Sequence, residues 1–378
     1  MKILHVADTH LGYAAYRRTT DEGVNQREQD IYDAFNGFID QAIKEKPDVI
    51  LHAGDLFDSV RPNNRAITFA LEEMLRLSKL GIPLVIIDGN HEHPKLRETG
   101  HIFRIFEHID HVYPVYNETY RTINIECRGK KIAIHALPHC NSSSRYEQEF
   151  KKIKIQDSCD YNILLTHGSV KGVHNYDYSM NEFNELSLSP SLLTPDFDYI
   201  ALGHYHKHTQ IKENAWYSGS IEHLTFTEAN DKKGYIKLDE KLKPVFIELE
   251  TRAMIDTEAI DCTNQGTQWI MKQIEQLLQN IKPSGKIIRI NLDNIQTSVY
   301  RGIDFKRIKE LCKDSLHYEI KPVYNTERYI STTGASRISS LTYEFRRFMD
   351  QQNLEEKDKI INLGVEYIER NIDKKEEI

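Results

Sequence analysis

Five short apolar runs end in side chains that can hold a metal ion. "ILHVADTH" delivers Asp8 and His10, and "VILHAGD" delivers Asp55. "LVIIDGN" delivers Asn90 with His91 directly after it, "NILLTH" delivers His167, and "YIALGHYH" delivers His204 and His206. Imidazole suits Zn, Fe or Mn, whereas carboxylate and carbonyl oxygens suit Mn and Mg. A mixed nitrogen and oxygen set without thiolate therefore points to Mn, Fe or Zn. Two ions about 3.5–4 Å apart need a shared ligand, and a carboxylate such as Asp55 has two oxygens with which to bridge them. Such a pair would hold a phosphate, generate hydroxide near neutral pH and stabilise an in-line displacement. His91 stands next to a ligand and is placed to act as general acid to the departing oxygen. Histidine ligands bind as the neutral ring, so affinity is expected to fall as pH drops through about 6.5.

These groups need elements that bring them to one place. The runs are short, apolar and rich in β-branched residues, which reads as buried strand. The carboxyl ends of strands form the binding rim of open α/β sheets. A single Asp, Asn or His at a strand end would be a turn or cap residue, but five ends making the same choice argue for a shared pocket. Residues 26–46 carry Ile31, Phe35, Phe38 and Ala42 at helical spacing, and 64–80 reads as a helix after Pro62. A short helix is expected near 98–107. From residue 120 short strands follow one another: "TINIE", "KIAIHAL", "NILLT", "YIALG", "AWYSGS" and "GYIKLD". This order implies a layered α/β domain over 1–250, with a mixed sheet or two packed sheets. His135 reads as a plain sheet histidine. His93, His139, His208 and His223 read as surface residues or as neighbours of ligands.

Residues 255–330 read as a small α+β unit. Its helix over 265–281 shows Ile270, Ile274, Leu277 and Ile281 on one face. "KIIRINL" and "YEIKPVY" are its strands, around a helix at 302–312. "STTGAS", 331–336, is a polar linker. A helix pair over 337–372 follows, striped by Ile338, Leu341, Phe345 and Phe348 and then by Ile361, Val365 and Ile368. So small a hairpin cannot bury its own apolar face.

The chain has 378 residues and a net charge of −8, with no broad basic surface implied. Residues 350–378 hold nine acidic and five basic side chains, so the body is nearer neutral than the total. The five cysteines lack any CxxC pair, which argues for a reducing compartment and against a thiolate zinc site. No apolar run approaches the ~18 residues of a membrane span, and "MKILHVADTH" reads as a first strand rather than a signal peptide.

The pairings Asp8-x-His10, Gly54-Asp55, Gly89-Asn90-His91-Glu92, Thr166-His167-Gly168 and Gly203-His204-x-His206 resemble the five motifs of the calcineurin-like metallophosphoesterases. "ADTHLGY", "HAGDLFDSVRP", "GHYHKH" and "YSGSIEHLTFTE" resemble the archaeal-type Mre-eleven/SbcD double-strand-break repair nucleases. The resemblance implies two packed mixed β-sheets flanked by helices, a small α+β capping domain and a C-terminal helix-loop-helix. It implies two Mn²⁺, with Mg, Fe or Zn as alternatives: one on Asp8, His10, Asp55 and His206, the other on Asp55, Asn90, His167 and His204. His91 becomes the proton donor. The implied activity is 3′→5′ exonuclease on duplex DNA ends and endonuclease on single strands. The implied partners are DNA, a second copy of the chain and a coiled-coil ATPase of the Rad/SbcC type, in the cytoplasm beside the nucleoid. The 64–80 helix carries Ile67, Leu71 and Met74 along one stripe with Phe69, Leu77 and Leu80 off it, so it has more than one apolar face to cover, one of them by a second protomer, and the terminal helix pair would serve the ATPase. Glu92 departs from the family, where many members carry Asp, and its longer arm could shift His91. Tyr13, Tyr16, Arg17, Arg61 and Asn63 are candidate substrate contacts. A phosphoesterase for nucleotides or phosphoproteins shares the metal motifs, although "GDLFDSV" lacks the Asp-Arg-Gly of protein phosphatases. A scaffold that bridges DNA ends would have no need of two ions.

Overall fold

Strand β1 (Ile3–Val6) turns Leu4 and Val6 to one face and Ile3 to the other, as a two-residue period requires. In the computed structural model it is followed by α1 (Gln26–Glu45), β2 (Val49–His52), α2 (Asn64–Lys79), β3 (Leu84–Ile87) and β4 (Val112–Val115). These four strands pair in parallel in the order β1-β2-β3-β4. The helices start where a side chain can cap them. Asn25 accepts from the Arg27 and Glu28 N–H groups, and Asn63 from that of Ala66. The structure describes residues 1–171, 187–325, 345, 349 and 357–372.

A second sheet follows: β5 (Arg121–Cys127), β6 (Lys130–Leu137), α3 (Ser143–Phe150), β7 (Tyr161–His167), the short pair β8 (Ser169–Val170) and β9 (Ser187–Leu188), then β10 (Tyr199–Gly203), β11 (Thr209–Lys212) and β12 (Ala215–Tyr217). The short pair stands apart, and the sheet order is β11-β12-β10-β7-β6-β5. β13 (Gly234–Leu238) and β14 (Pro244–Glu248) return antiparallel to the first sheet, beside β1. The result is two packed sheets, the alternative that the strand order left open. Ile3, Val49, Leu51, Val85 and Ile87 face Ile132, Ile134, Ile163, Leu165 and Ala201 between them. On one outer face, Leu4, Val6, Ile50 and Ile86 pack on Phe35, Phe38, Met74 and Leu77 of α1 and α2. On the other, Leu164, Ile200 and Leu202 pack on Tyr146 of α3 and on Phe197. Each large apolar side chain so buried contributes about 1.5–3 kcal/mol.

Residues 254–324 form a parallel sheet of β15 (Met254–Asp256), β16 (Ile260–Asp261), β17 (Ile287–Ile295) and β18 (His317–Tyr324), with α4 (Thr267–Ile281), α5 (Thr297–Arg301) and α6 (Phe305–Leu311). Its core is its own. Ile270, Ile274 and Leu278 of α4 meet Ile288, Ile290 and Leu292. Leu278 takes the place expected for Leu277, because it continues the four-residue step from Ile270 and Ile274. Leu277 and Ile281 are half-buried at the edge. The expected 302–312 helix is shorter, since Asp304 caps α6 by accepting from Arg307 N–H. The helix expected near 98–107 is instead two 3₁₀ turns, Arg97–Thr99 and Ile102–His108, parted by Gly100 at φ +70°.

The chain divides into two compact units, Met1–Asn325 and Thr326–Ile378. Within the second, Phe345 and Met349 are helical and cluster with Ile361 and Val365 of α7 (Lys357–Ile372). Gly364 admits the Phe345 ring, because a Cβ there would stand 2.4 Å from it. The 331–336 linker, Ile338, Leu341 and Phe348 lie outside the described residues. Among the described residues no helix is long and apolar enough to cross a membrane.

Candidate metal centre

The loops after β1, β2, β3, β7 and β10 leave their sheets at one shared rim. Asp8 and His10 follow β1, Asp55 follows β2, Asn90 and His91 follow β3, His167 ends β7, and His204 and His206 follow β10. The structure brings all eight together. Ligand-capable atoms lie within 4.8 Å of one another in three overlapping groups: Asp8, His10 and His206; His10, Asp55 and His91; Asp55, His167 and His204.

Holding them there costs backbone strain. Asp8 (φ 53°), His10 (φ 45°), Asp55 (φ 53°) and His204 (φ 104°) all occupy positive φ, which costs about 1–3 kcal/mol per residue. The loops also approach closely. A Cβ on Gly89 would stand 2.1 Å from Asp55 Oδ1, and one on Gly203 would stand 2.0 Å from the Ala53 carbonyl oxygen. Glycine at both positions is thus a packing requirement of the site.

Hydrogen bonds aim the side chains. His167 donates from Nδ1 to the Ala53 carbonyl (2.8 Å), which turns Nε2 inward, 2.9 Å from Asn90 Oδ1 and 3.3 Å from Asp55 Oδ2. Asn90 Oδ1 is also 3.0 Å from His204 Nδ1. Asp55 accepts from His91 N–H on Oδ1 (3.0 Å), leaving Oδ2 toward His167 and, at 3.9 Å, toward His10 Nε2. Asp55 thus presents Oδ2 to both His167 and His10, while Oδ1 is held by the His91 N–H. His10 Nε2 and His206 Nε2 are 3.1 Å apart. Asp8 accepts from His204 N–H on Oδ1, while its buried Oδ2 has no hydrogen-bond partner. Ring lone pairs, an amide oxygen and carboxylate oxygens at such distances repel unless a proton or a cation lies among them. The donor set fits divalent metal on this count.

Without metal, protons fill that role. Burial alone would lower the His167 pKa, but Asp55 outweighs it and raises it to about 9. Burial also opposes the charged form of His206, and Glu228 overcomes this to move its pKa up. Burial would raise Asp55, yet the surrounding histidines hold it well below the usual carboxylate range.

Three further side chains of the site, Asp58, Glu228 and Lys233, were not singled out in the sequence, and Glu92 was noted only for its longer arm. Asp58 accepts on its carbonyl from His91 Nδ1 (3.1 Å) and places Oδ1 3.3 Å from His10 Nδ1. Only its place three residues after Asp55 could have marked it. Glu92 is buried, and its Oε1 accepts from Leu56 N–H (3.3 Å) and Gly89 N–H (2.9 Å). It ties the second and third loops to each other. Glu228 and Lys233 lie behind His206; Glu228 closes the motif "YSGSIEHLTFTE", but no spacing there marks either residue individually.

A further group, Asp88, His93 and His101, has metal-compatible spacing. Its hydrogen bonds argue against an ion there. His101 accepts on Nδ1 from Phe103 N–H, so its Nε2 carries the proton and donates to Asp88 Oδ2 (2.7 Å). Asp88 Oδ2 also accepts from His93 Nδ1 (2.7 Å). His135 is a buried sheet histidine held by Tyr120 and Asn162.

The candidate substrate contacts are placed unevenly. The Asn63 amide is spent on the α2 cap and on Glu28. Tyr13 donates to the Leu224 carbonyl. Tyr16 stacks on His317 with ring centroids 3.9 Å apart. Arg61 lines a surface cavity with Pro62, Ile67, Ile102 and His108. Arg17 is exposed in the same first loop as Tyr16.

Residues 1–208 match the family model described as calcineurin-like phosphoesterase. Curated proteins named DNA double-strand break repair protein Mre11 are similar to this chain. That of Saccharolobus solfataricus is 33% identical over 57% of this chain and 51% of its own. That of Methanocaldococcus jannaschii is 32% identical over 62% of this chain and 60% of its own. That of Sulfolobus acidocaldarius is 24% identical over 85% of this chain and 82% of its own. The chain thus spans about half the length of the first of these relatives.

Proposed function

The chain belongs to the calcineurin-like phosphoesterase family, and from that premise we propose that it is a manganese-dependent DNA nuclease of double-strand-break repair. The observation that carries the reading is the convergence of Asp8, His10, Asp55, Asn90, His167, His204 and His206 on one rim, with acceptor atoms turned toward one another. One ion would rest on Asp8, His10, Asp55 and His206, and a second on Asp55, Asn90, His167 and His204. Bound there, the pair supplies Lewis acidity and a nucleophilic hydroxide at neutral pH.

The chain's own groups do the rest. His91 donates Nδ1–H to the Asp58 carbonyl, which fixes the ring and assigns Nε2 as the atom that protonates the leaving oxygen. Its backbone N–H holds Asp55 Oδ1, so the bridging carboxylate and the proton donor share one loop. Glu92 keeps that loop against the one bearing Asp55. The names of the relatives support DNA as the substrate; exonuclease action on duplex ends and endonuclease action on single strands are what the motif resemblance implies. A second copy of the chain would cover the outward face of α2, where Leu75 and Leu80 are exposed and Ile67 and Leu71 half-buried. Met74 and Leu77 face the core instead. A coiled-coil ATPase of the Rad/SbcC type would dock on the terminal helices over 337–372, where Leu363 is exposed. The 255–330 region would cap the nuclease domain.

The test is a nuclease assay with Mn²⁺ on plasmid and oligonucleotide DNA, comparing wild type with His91→Ala and Asp55→Ala. General-acid loss is expected to slow turnover by about 10²–10⁴-fold, and Asp55→Ala to abolish it together with metal uptake. Equal activity in all three overturns the reading. Faster hydrolysis of a nucleotide monoester than of DNA replaces it with a small-substrate phosphoesterase.

A further inference from the structure

A charged assembly lies behind His206 and reaches from the rim to the third sheet. His206 donates from Nδ1 to Glu228 Oε1 (3.3 Å), which leaves Nε2 turned toward His10. Glu228 is itself held. Its Oε2 accepts from Lys233 Nζ (2.6 Å) and Leu224 N–H (3.3 Å), and its Oε1 from Thr225 N–H (3.3 Å). Lys233 also donates to the His206 carbonyl (2.9 Å) and to Ser220 Oγ (2.9 Å). One ammonium therefore grips both the backbone of His206 and the carboxylate that aims its ring.

Glu228 and Lys233 are both buried, at 4% and 1% exposure. A buried ion pair is weak evidence for stability in itself; beyond the backbone groups it satisfies at Leu224, Thr225 and His206, this pair does one more thing. A carboxylate on the far nitrogen of a ligating histidine fixes the tautomer and orientation of the ring, and this geometry provides that.

Glu228 sits in the 3₁₀ turn Phe226–Glu228. Phe226, two residues earlier, packs on Met254, Ile287 and Leu316 of the third-sheet region. The Arg289 guanidinium lies 4.0 Å from the centre of its ring. The turn is thus pressed by the third sheet on one side and bonded to His206 on the other.

We propose that Glu228 is a positioning residue for His206, and that the third sheet, through Phe226, sets how tightly the cation at His206 is held. This rests on the reading of His206 as a metal ligand. In it the 254–324 region is a brace on the metal centre as well as a cover.

The test measures Mn²⁺ binding by calorimetry on the full chain, with the His206 tautomer read by ¹⁵N spectroscopy of the metal-free protein. The double variant Glu228→Leu/Lys233→Met removes both charges and leaves neither buried alone. It is expected to lower affinity for one of the ions by about 10–100-fold and to lose the Nδ1–H signature. Phe226→Ala, distant from the ions, is expected to lower the same affinity by threefold or more and to keep that signature. Wild-type affinity in the double variant overturns the positioning role. Wild-type affinity in Phe226→Ala overturns the brace, and that variant still decides the matter if the double variant does not fold. His206→Ala is the control. If it binds Mn²⁺ as wild type does, the ligand assignment itself has failed, and not only the positioning of that ligand.

Discussion

At the scale of residues, the site is a set of acceptors whose mutual repulsion is relieved by protons, and a bound divalent cation would relieve it in their place. That moves the pH window set by histidine chemistry alone. A neutral ring near pH 6.5 would compete with metal only in acid. His167, with its pKa raised to about 9 chiefly by Asp55 against the opposing effect of burial, still carries a proton at neutral pH. Metal uptake must displace that proton, so affinity should rise steadily from pH 6 to pH 9 and level off above it. Calorimetry in buffers of different ionisation enthalpy should show at least one proton released per site filled near pH 7. A flat profile over that range would contradict this account of His167. Glycine makes a second prediction. Gly203→Ala puts a Cβ 2.0 Å from the Ala53 carbonyl oxygen and 2.9 Å from His167 Nδ1. The bond that aims His167 cannot survive, and overpacking adds about 1–3 kcal/mol of destabilisation. Urea unfolding and metal content should fall together, and a stable variant with full metal content would refute the packing argument. The side chains that meet at the rim were legible in sequence because a carboxylate, amide or imidazole at five strand ends is an unusual choice. The bonds of Asp58, Glu92, Glu228 and Lys233 were not, because a second layer of bonds depends on which loops touch, and no spacing along the chain encodes that.

At the scale of elements, period and caps do most of the positioning. The two-residue alternation of β1 and the four-residue steps of α1 and α4 reappear as buried faces. Elements were misjudged where a local cap overrode the pattern, as with Asp304 at α6, or where Gly100 interrupted it near residue 98. The strand β14 went unread because its exposed and half-buried pattern lacks a clear alternation. Asn63 shows how an element can claim a residue that resembles a substrate contact. Its Oδ1 accepts from Ala66 N–H, and its Nδ2 donates to Glu28. Asn63→Ala should therefore cost about 1 kcal/mol of stability through the lost cap, while DNA affinity at matched folded fraction stays unchanged. A drop in DNA affinity without a change in the urea midpoint would return Asn63 to the substrate surface.

At the scale of the whole molecule, a buried carboxylate joins the parallel third sheet to the paired sheets, beside the Phe226 packing and the Tyr16–His317 stack. Asp30 of α1 accepts from Arg252 through Nε and Nη2, both at 2.6 Å, and from Arg27 Nη1 at 2.6 Å. Arg252 donates its remaining Nη1 to the Gly285 carbonyl at 2.6 Å, just before β17. Arg27 is wholly buried, and its Nη2 donates to the His223 carbonyl. The two guanidinium groups thus differ in what their loss of Asp30 would leave. Arg252 is partly exposed and can turn to water. Arg27 cannot: it keeps Glu222 at 3.4 Å but loses the closer of its two buried carboxylates, at a cost of up to about 3–5 kcal/mol. Asp30→Asn should therefore destabilise the chain more than Arg252→Met, whose cost is the lost charged hydrogen bonds, about 1.5–3 kcal/mol. The two should also differ in kind. Arg252→Met loosens only the joint, so urea unfolding should separate into an early step for 254–324 and a later one for the paired sheets. Asp30→Asn weakens α1 and with it the sheet that carries Asp8 and Asp55, so metal binding should weaken alongside stability. If Arg252→Met proves the more damaging of the two, or if its unfolding stays a single transition at an unchanged midpoint, the stabilising centre of this joint is not the buried Arg27–Asp30 pair.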